Sequence, residues 1–208
     1  MRWPGPGPDA VDVAGVSVDL AGIGRARKVV LVEGRSDQAA LEVLARRRGM
    51  VLGRGGICVV AMGGATSIGH FLDLLGPRGL NVGLGGLCDA GQEDWVRRAL
   101  EHAGLGLACS QAELEARGFY LCTVDLEDEL IRAAGAAAVE QLIATHGELR
   151  PWRTFQRQPA QRYRSICEQL HRFMGTKSGR KSQYARLLAE AVDLARVPRP
   201  LDRVLAHQ

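Results

Sequence analysis

The 208-residue chain is poor in aromatic residues, with Trp 3, Tyr 3 and Phe 4, and in cysteine, with 5. None of the cysteines forms a C-x-x-C pair, and an odd count without clustering gives no disulfide framework. Cys58, Cys88 and Cys122 sit within or at the end of apolar runs, as small buried residues in a reducing compartment do. His70, His102, His146, His171 and His207 are scattered, so structural zinc is not expected. No run of ~18 consecutive apolar residues occurs, and no membrane-spanning helix is expected. The opening MRWPGPGPDA lacks the apolar stretch of a secretory signal, which points to the cytoplasm. No G-x-x-x-x-G-K-[ST] loop is present, the spacing in GTKSG around Lys177 being too short. With 46% hydrophobic residues, 24% charged, and 26 glycines that follow no G-X-Y period, the composition excludes a disordered tail and a collagen. The length fits one domain, or one domain with an appendage.

The net charge of +4 conceals a split. Residues 1–149 hold 14 Lys and Arg against 19 Asp and Glu, a net of −5. Residues 150–208 hold 13 against 4, a net of +9. An acidic body with a basic tail suggests concentrated carboxylates beside a surface that meets a polyanion. A solvated, arginine-rich helical face is the alternative for the tail.

Along the chain, residues 1–25 read as a Gly/Pro-rich leader with at most one short strand. Strand and helix then alternate. Lys28–Val32 is a continuous apolar run, a buried parallel strand by pattern. The spacing of Ala40, Leu41, Leu44 and Ala45 predicts a helix over 37–48, with Ser36 or Asp37 as N-cap and Gly49 as its stop. Further strands are predicted over 57–61, 80–88 and 119–124. Helices are predicted from Thr66 or Ser67 to Leu75 and over 92–103, the latter with Trp95, Val96, Ala99 and Leu100 inward. The pattern is helical over 127–146, 158–174 and 182–194, and Pro198 and Pro200 close the last helix. Such alternation implies a parallel sheet covered by helices on both faces. The fold class is therefore α/β, with a four-stranded parallel sheet and a helical C-terminal extension, divided as leader 1–25, core 26–147 and extension 148–208.

Acids stand where the strands end. Glu33 follows the first strand, Asp89 the third and Asp125 the fourth, with Asp37 a turn after Glu33 and Glu127 two residues after Asp125. In an open parallel sheet the carboxyl ends of the strands are where ligands bind. Several carboxylates brought together there cannot all ionise unless a cation neutralises them. Oxygen ligands without His or Cys select a hard cation, Mg²⁺ or Mn²⁺. Each acid taken alone also reads as a cap or first-turn residue at a helix N-terminus.

The run VVLVEGRSD, the turn VVAMGG and the Asp after the third strand resemble a Toprim domain, over roughly residues 26–130. That module occurs in topoisomerases, bacterial primases, recombination proteins and nucleases of the OLD family. The later VDLEDEL and SGRKSQYARLLAEAV resemble the OLD version most, and extend the match nearly to the C-terminus. The resemblance implies two divalent metals held by Glu33, Asp37, Asp89, Asp125 and Glu127. It also implies Glu33 as catalytic and Lys181 as the lysine that assists phosphodiester cleavage, with Lys177 as runner-up for the lysine. One departure stands out. The pattern has Asp-x-Asp after the third strand, and here the run is Asp89-Ala90-Gly91, so one metal would bind weakly or Glu93 or Asp94 would substitute. The activity implied is two-metal hydrolysis of DNA, with RNA as an alternative substrate. A non-catalytic nucleic-acid-binding or recombination module, and a nucleotidyl transferase, are the other readings. The ATPase module that usually precedes this region in OLD proteins is not expected in the chain, so either the chain works alone or a separate protein supplies an ATPase.

Gly34, Gly63 and Gly64 are expected to let the backbone turn tightly beside the metals. Thr66 and Ser67 would cap a helix or touch phosphate. In the tail, RPWRTFQRQPAQRYRS interleaves Trp152, Phe155 and Tyr163 with Arg150, Arg153, Arg157, Arg162 and Arg164. With Lys177 and Arg180 these form an expected non-specific nucleic-acid surface, the arginines on phosphate and the aromatics on unpaired bases. Packing of the aromatics onto the sheet is the competing reading for each.

Overall fold

The computed structural model describes residues 10–207. The Gly/Pro-rich start at residues 1–9 lies outside them. A hairpin of β1 (Ala10–Val13) and β2 (Val16–Asp19) turns at Ala14-Gly15, both at positive φ, and leads into a single helical turn, α1 (Leu20–Ile23). Two strands thus occupy a stretch where the pattern suggests at most one.

The main sheet contains β3 (Lys28–Val32), β4 (Ile57–Ala61), β5 (Leu84–Asp89) and β6 (Phe119–Cys122), all parallel, in the order β4-β3-β5-β6. β3 and β4 have the bounds that their apolar runs predict. β5 begins at Leu84 instead of Leu80, because residues 80–83 form a loop in which Leu80 is exposed and Asn81 has φ 49°. β6 ends at Cys122, before Thr123 and Val124.

The helices are α2 (Arg35–Arg47), α3 (Ile68–Leu75), α4 (Glu93–His102), α5 (Gln111–Ala116), α6 (Leu126–Ala134) and α7 (Ala136–Thr145). They continue with α8 (Leu149–Gln156), α9 (Ile166–Met174), α10 (Arg180–Ala191) and α11 (Arg199–Ala206). The helix predicted over 127–146 is two, broken at Gly135, which has φ 82° and ψ 144°. The one predicted over 158–174 starts only at Ile166, with Ser165 as cap and Glu168 closing a capping box. Pro198 and Pro200 do not end the chain's helices. They start α11, where a proline in the first turn loses no hydrogen bond.

Alternation along β3 sorts the core into two layers. Val29 and Leu31 pack with Val18, Phe71, Leu72, Val96, Leu100 and Phe119. Val30 and Val32 face the other way, onto Leu41, Leu44, Trp152, Phe173, Tyr184 and Leu205. Burial on both sides is why β3 reads as an unbroken apolar run. Trp95, predicted inward, is exposed; Val96 and Leu100 carry the apolar face of α4.

The C-terminal helices belong to this core. α10 lies along α2, and Arg47 Nη1 on α2 donates to the carbonyls of Ala189 and Val192, each at 2.7 Å. Buried Lys28, at the start of β3, donates through Nζ to Val204 O at 2.7 Å and His207 O at 2.8 Å, which ties α11 to the sheet. Residues on either side of position 147 therefore share one hydrophobic layer.

Candidate functional site

The sheet order fixes where the acids meet. From β3 the chain crosses to β4 on one side, then returns to β5 on the other, so the crevice between β3 and β5 is the topological switch point. Glu33 leaves β3 there and Asp89 ends β5. Asp125 and Glu127 follow β6, the next strand over.

Asp37 is not an N-cap. Gly34 is the N-cap residue of α2, and Asp37 reaches back from N3, its Oδ2 accepting from Gly34 N at 2.8 Å. Gly34 itself has φ −137°, so the turn needs no glycine there. The left-handed positions are Gly63 and Gly64, at φ 76° and 143°, and Gly64 N donates to Glu33 O at 3.1 Å. Those two glycines hold the β4 turn against the backbone of Glu33. Ser67 makes no side-chain cap for α3.

Asp125 is the N-cap of α6, Oδ1 accepting from Asp128 N at 2.9 Å. Its Oδ2 lies 2.7 Å from His171 Nε2, on α9, and 3.9 Å from Lys181 Nζ, on α10. A carboxylate only accepts, so the imidazole carries hydrogen on Nε2. Burial alone would raise the pKa of Asp125; the bonds from His171 and Asp128 N and the charge of Lys181 hold it below the usual value. The bond to Asp125 in turn holds the His171 pKa above that of a free imidazole.

Glu127 is 1% exposed on its side chain, and neither carboxylate oxygen has a hydrogen bond. The cationic group beside it is Lys181 Nζ, which forms an ion pair 3.1 Å from Oε2. Burial, against the pull of Lys181, pushes the pKa of Glu127 up to about 7. Asp89 is also pushed up to about 7, first by burial, then by the charges of Asp125, Glu33 and Asp37. Asp37 shifts up for the same first reason. Lys181, 48% exposed, loses some basicity to burial and regains more from Glu127, Asp125 and Asp37, so its pKa ends above the ordinary value. The strand order puts the ends of β3, β5 and β6, and the acids that follow them, along one edge of the sheet.

Oxygen donors, excess negative charge and a buried carboxylate with both oxygens unbonded suit a hard divalent cation in kind. Among the described residues, however, no three His, Cys, Asp or Glu side chains stand close enough to grip one ion as they lie. The cation within reach of Glu127 and Asp125 is the ammonium of Lys181.

Of the two acids that follow Gly91, Glu93 is tied to Arg97, Nε to Oε1 at 3.0 Å, and Asp94 is exposed. Between them and Gly91, Gln92 reaches the edge, its Nε2 donating to Glu33 Oε2 at 2.5 Å. A Cβ added at Gly91 would meet nothing within 4 Å. His171 and Gln92 are site residues that the sequence does not mark, since neither belongs to a spacing motif.

The basic tail divides. Trp152, Phe155, Phe173 and Tyr184 are buried, so for them packing is the role. Tyr163 is 99% exposed. Arg180, expected on the nucleic-acid surface, is buried. It donates through Nε and Nη2 to Glu148 at 2.9 and 3.0 Å and lies over the Phe173 ring. Arg153 pairs with Glu140 at 3.1 Å, whereas Arg150, Arg157, Arg162, Arg164 and Lys177 are exposed.

Two clefts open between these helices. One, of about 470 Å³, is lined by Asp125, Glu127, His171 and Lys181. The other, of about 590 Å³, is lined by Arg150, Thr154, Gln158, Lys177 and Arg180, and both use Phe155 and Thr176 as wall.

Comparison with known proteins agrees with this geometry. Residues 26–89 match the model of the overcoming lysogenization defect protein-like Toprim domain. The C-terminal region of the OLD protein of Xanthomonas campestris pv. campestris superposes with a TM-score of 0.66 at 24% identity, over 88% of this chain and 94% of that one. The C-terminal region of the Burkholderia pseudomallei OLD protein does so with a TM-score of 0.63 at 20% identity, over 88% and 96%. No curated protein sequence matches. No helix among the described residues is long and apolar enough to cross a membrane. The chain thus carries an OLD-like Toprim domain in residues 26–89, within the fold of the C-terminal region of OLD proteins.

Proposed function

We propose that the chain is a nuclease that hydrolyses phosphodiester bonds with Mg²⁺ or Mn²⁺ held at the carboxyl edge of the sheet. The observation that carries this reading is Glu127. A carboxylate 1% exposed is costly to keep ionised with only a half-exposed lysine 3.1 Å away to offset it, and a divalent ion would meet that charge. Glu33, Asp37 and Asp89 would hold an ion on the β3–β5 side, and Asp125 and Glu127 on the β6 side. Divalent ions bound there supply activation of the attacking water and stabilisation of the leaving oxygen. Lys181 would stand near the scissile phosphate and offset its growing negative charge. His171 keeps Asp125 in one orientation, as supporting hydrogen bonds to ligating carboxylates do. Nicking of supercoiled plasmid in Mg²⁺ or Mn²⁺, absent in EDTA and lost in Glu33→Ala and Asp89→Ala, is the expected result. A wild-type protein that leaves both the plasmid and single-stranded DNA intact overturns the proposal.

A second reading, a non-catalytic nucleic-acid-binding module, draws on two observations. Gly91 stands where the pattern has its second Asp, and no three donors among the described residues converge as they lie. Calorimetric titration with Mn²⁺ separates the two, since a scaffold whose acids only order loops takes up no ion.

A further inference from the structure

We infer that the cleft of about 590 Å³ beside the carboxylates is a subsite for the nucleotides that flank the cut, and that it takes a single strand. Its polar lining is of one kind. Arg150 and Lys177 are exposed and make no ion pair among the described residues, and Thr154 and Gln158 add neutral donors. No carboxylate lines it, in contrast to the neighbouring cleft, where Asp125 and Glu127 stand. Phe155 and Thr176 belong to both walls, so the two clefts are neighbours, one cationic and the other acidic. A strand with a phosphate at the acids would run on over that shared wall towards the cations.

Size selects the strand. Clefts of several hundred Å³ hold small-molecule volumes, and so roughly one or two nucleotides each. A double helix, broader than its own ~12 Å major groove, would lie across such a cleft without settling into it. A separate observation agrees. Gln158, on the cleft wall, begins the loop that carries Tyr163, 99% exposed between exposed Arg162 and Arg164. A bare ring flanked by guanidiniums is the form of a stacking platform for unpaired bases. The other four tail aromatics are buried in the core, which makes Tyr163 the tail ring open to a base.

The inference rests on the nuclease reading only for where the strand leads. Binding is therefore measured without catalysis, by fluorescence anisotropy of short labelled single strands and the matching blunt duplex in EDTA. The single strand, DNA or RNA, should bind at least about tenfold more tightly than the duplex. Arg150→Ala with Lys177→Ala should lower the slope of log affinity against log salt by about 1.4, two single-strand phosphate contacts. Tyr163→Ala should weaken single-strand binding by about tenfold and leave duplex binding unchanged. All three positions are exposed, so the fold tolerates the changes. A duplex bound as well as the strand, or an unchanged salt slope in the double variant, overturns the inference. Strand binding without cleavage of either the plasmid or the single strand in Mn²⁺ leaves it standing and removes the nuclease reading; cleavage with undiminished strand binding in these variants does the reverse.

Discussion

Lys181 and Glu127 form a pair in which each side chain answers for the other. The carboxylate is buried and the ammonium half-exposed, so the lysine can leave and the glutamate cannot. Lys181→Met should lower the melting temperature in EDTA, because a buried charge loses its nearest opposite. It should also enlarge the rise in melting temperature that Mn²⁺ produces, since the ion no longer competes with an ammonium. Glu127→Gln should remove most of that rise. Thermal melts with and without Mn²⁺ read both, and equal rises in wild type and Glu127→Gln would remove Glu127 from the ligand set. Gly91 offers the converse experiment. Its φ is not left-handed and a Cβ there meets open space, so Gly91→Asp fits without strain. A further carboxylate on the loop after β5 should tighten Mn²⁺ by about tenfold, as ligand charge count does in oxygen sites. Calorimetry checks it, and unchanged affinity would mean that the loop points the added carboxylate away from the ion.

At the level of elements, Lys181 depends on the start of α10, and that start is held by its neighbour. Arg180 is buried, with both arms on Glu148, a third bond to Phe173 O at 3.1 Å and its plane over the Phe173 ring. Glu148→Ala leaves the guanidinium buried and unpaired, and should cost about 3 kcal/mol. In a chain of this length that lowers the melting temperature by roughly 6–12 °C. Gly135→Ala, at φ 82° and ψ 144°, should cost about 2 kcal/mol by straining the break between α6 and α7. Both are read by thermal melts, and a change under about 1 °C in either would refute the role given to that residue. The same elements show what the sequence could reveal. β3 and β4 are legible to the residue because strands buried on both faces are written as unbroken apolar runs. The acids are legible because strand ends and carboxylates can be read together. Gly135 is hidden among alanines that continue the helical pattern through it, so one helix is predicted where two exist. Arg180 and Arg153 look like free cations because their partners, Glu148 and Glu140, come from helices that only the fold brings near. His171 has no sequence signal at all; its meaning is a 2.7 Å distance to a residue 46 positions earlier.

For the whole molecule, the charge split becomes a matter of proton balance. The fold places Lys181 and His171, from the net +9 tail, against the acids of the net −5 body, and leaves most tail arginines outside. Asp89 and Glu127 are pushed up to about 7, whereas in the unfolded chain they ionise at about 4. The folded state therefore holds these protons more tightly, and ionising them as pH rises from about 4 to about 7 works against the fold. His171, raised by its bond to Asp125, contributes stability below its ordinary value that is lost as pH climbs through the raised one. Asp125 runs the other way, but its window lies lower, since its pKa is depressed and its contribution is lost only in acid. Between about pH 5 and about pH 8 the first three groups act together, so the melting temperature in EDTA should fall. Metal ligands must be deprotonated to bind, so the rise in melting temperature on adding Mn²⁺ should grow over the same interval. Titration calorimetry at about pH 6 in buffers of differing ionisation heat should show protons released as the ion binds. Glu127→Gln should release fewer protons and flatten the fall in EDTA. A melting temperature that climbs from about pH 5 to about pH 8 in EDTA would show that the edge does not trap carboxylic acids, and with that the case for a cation would go.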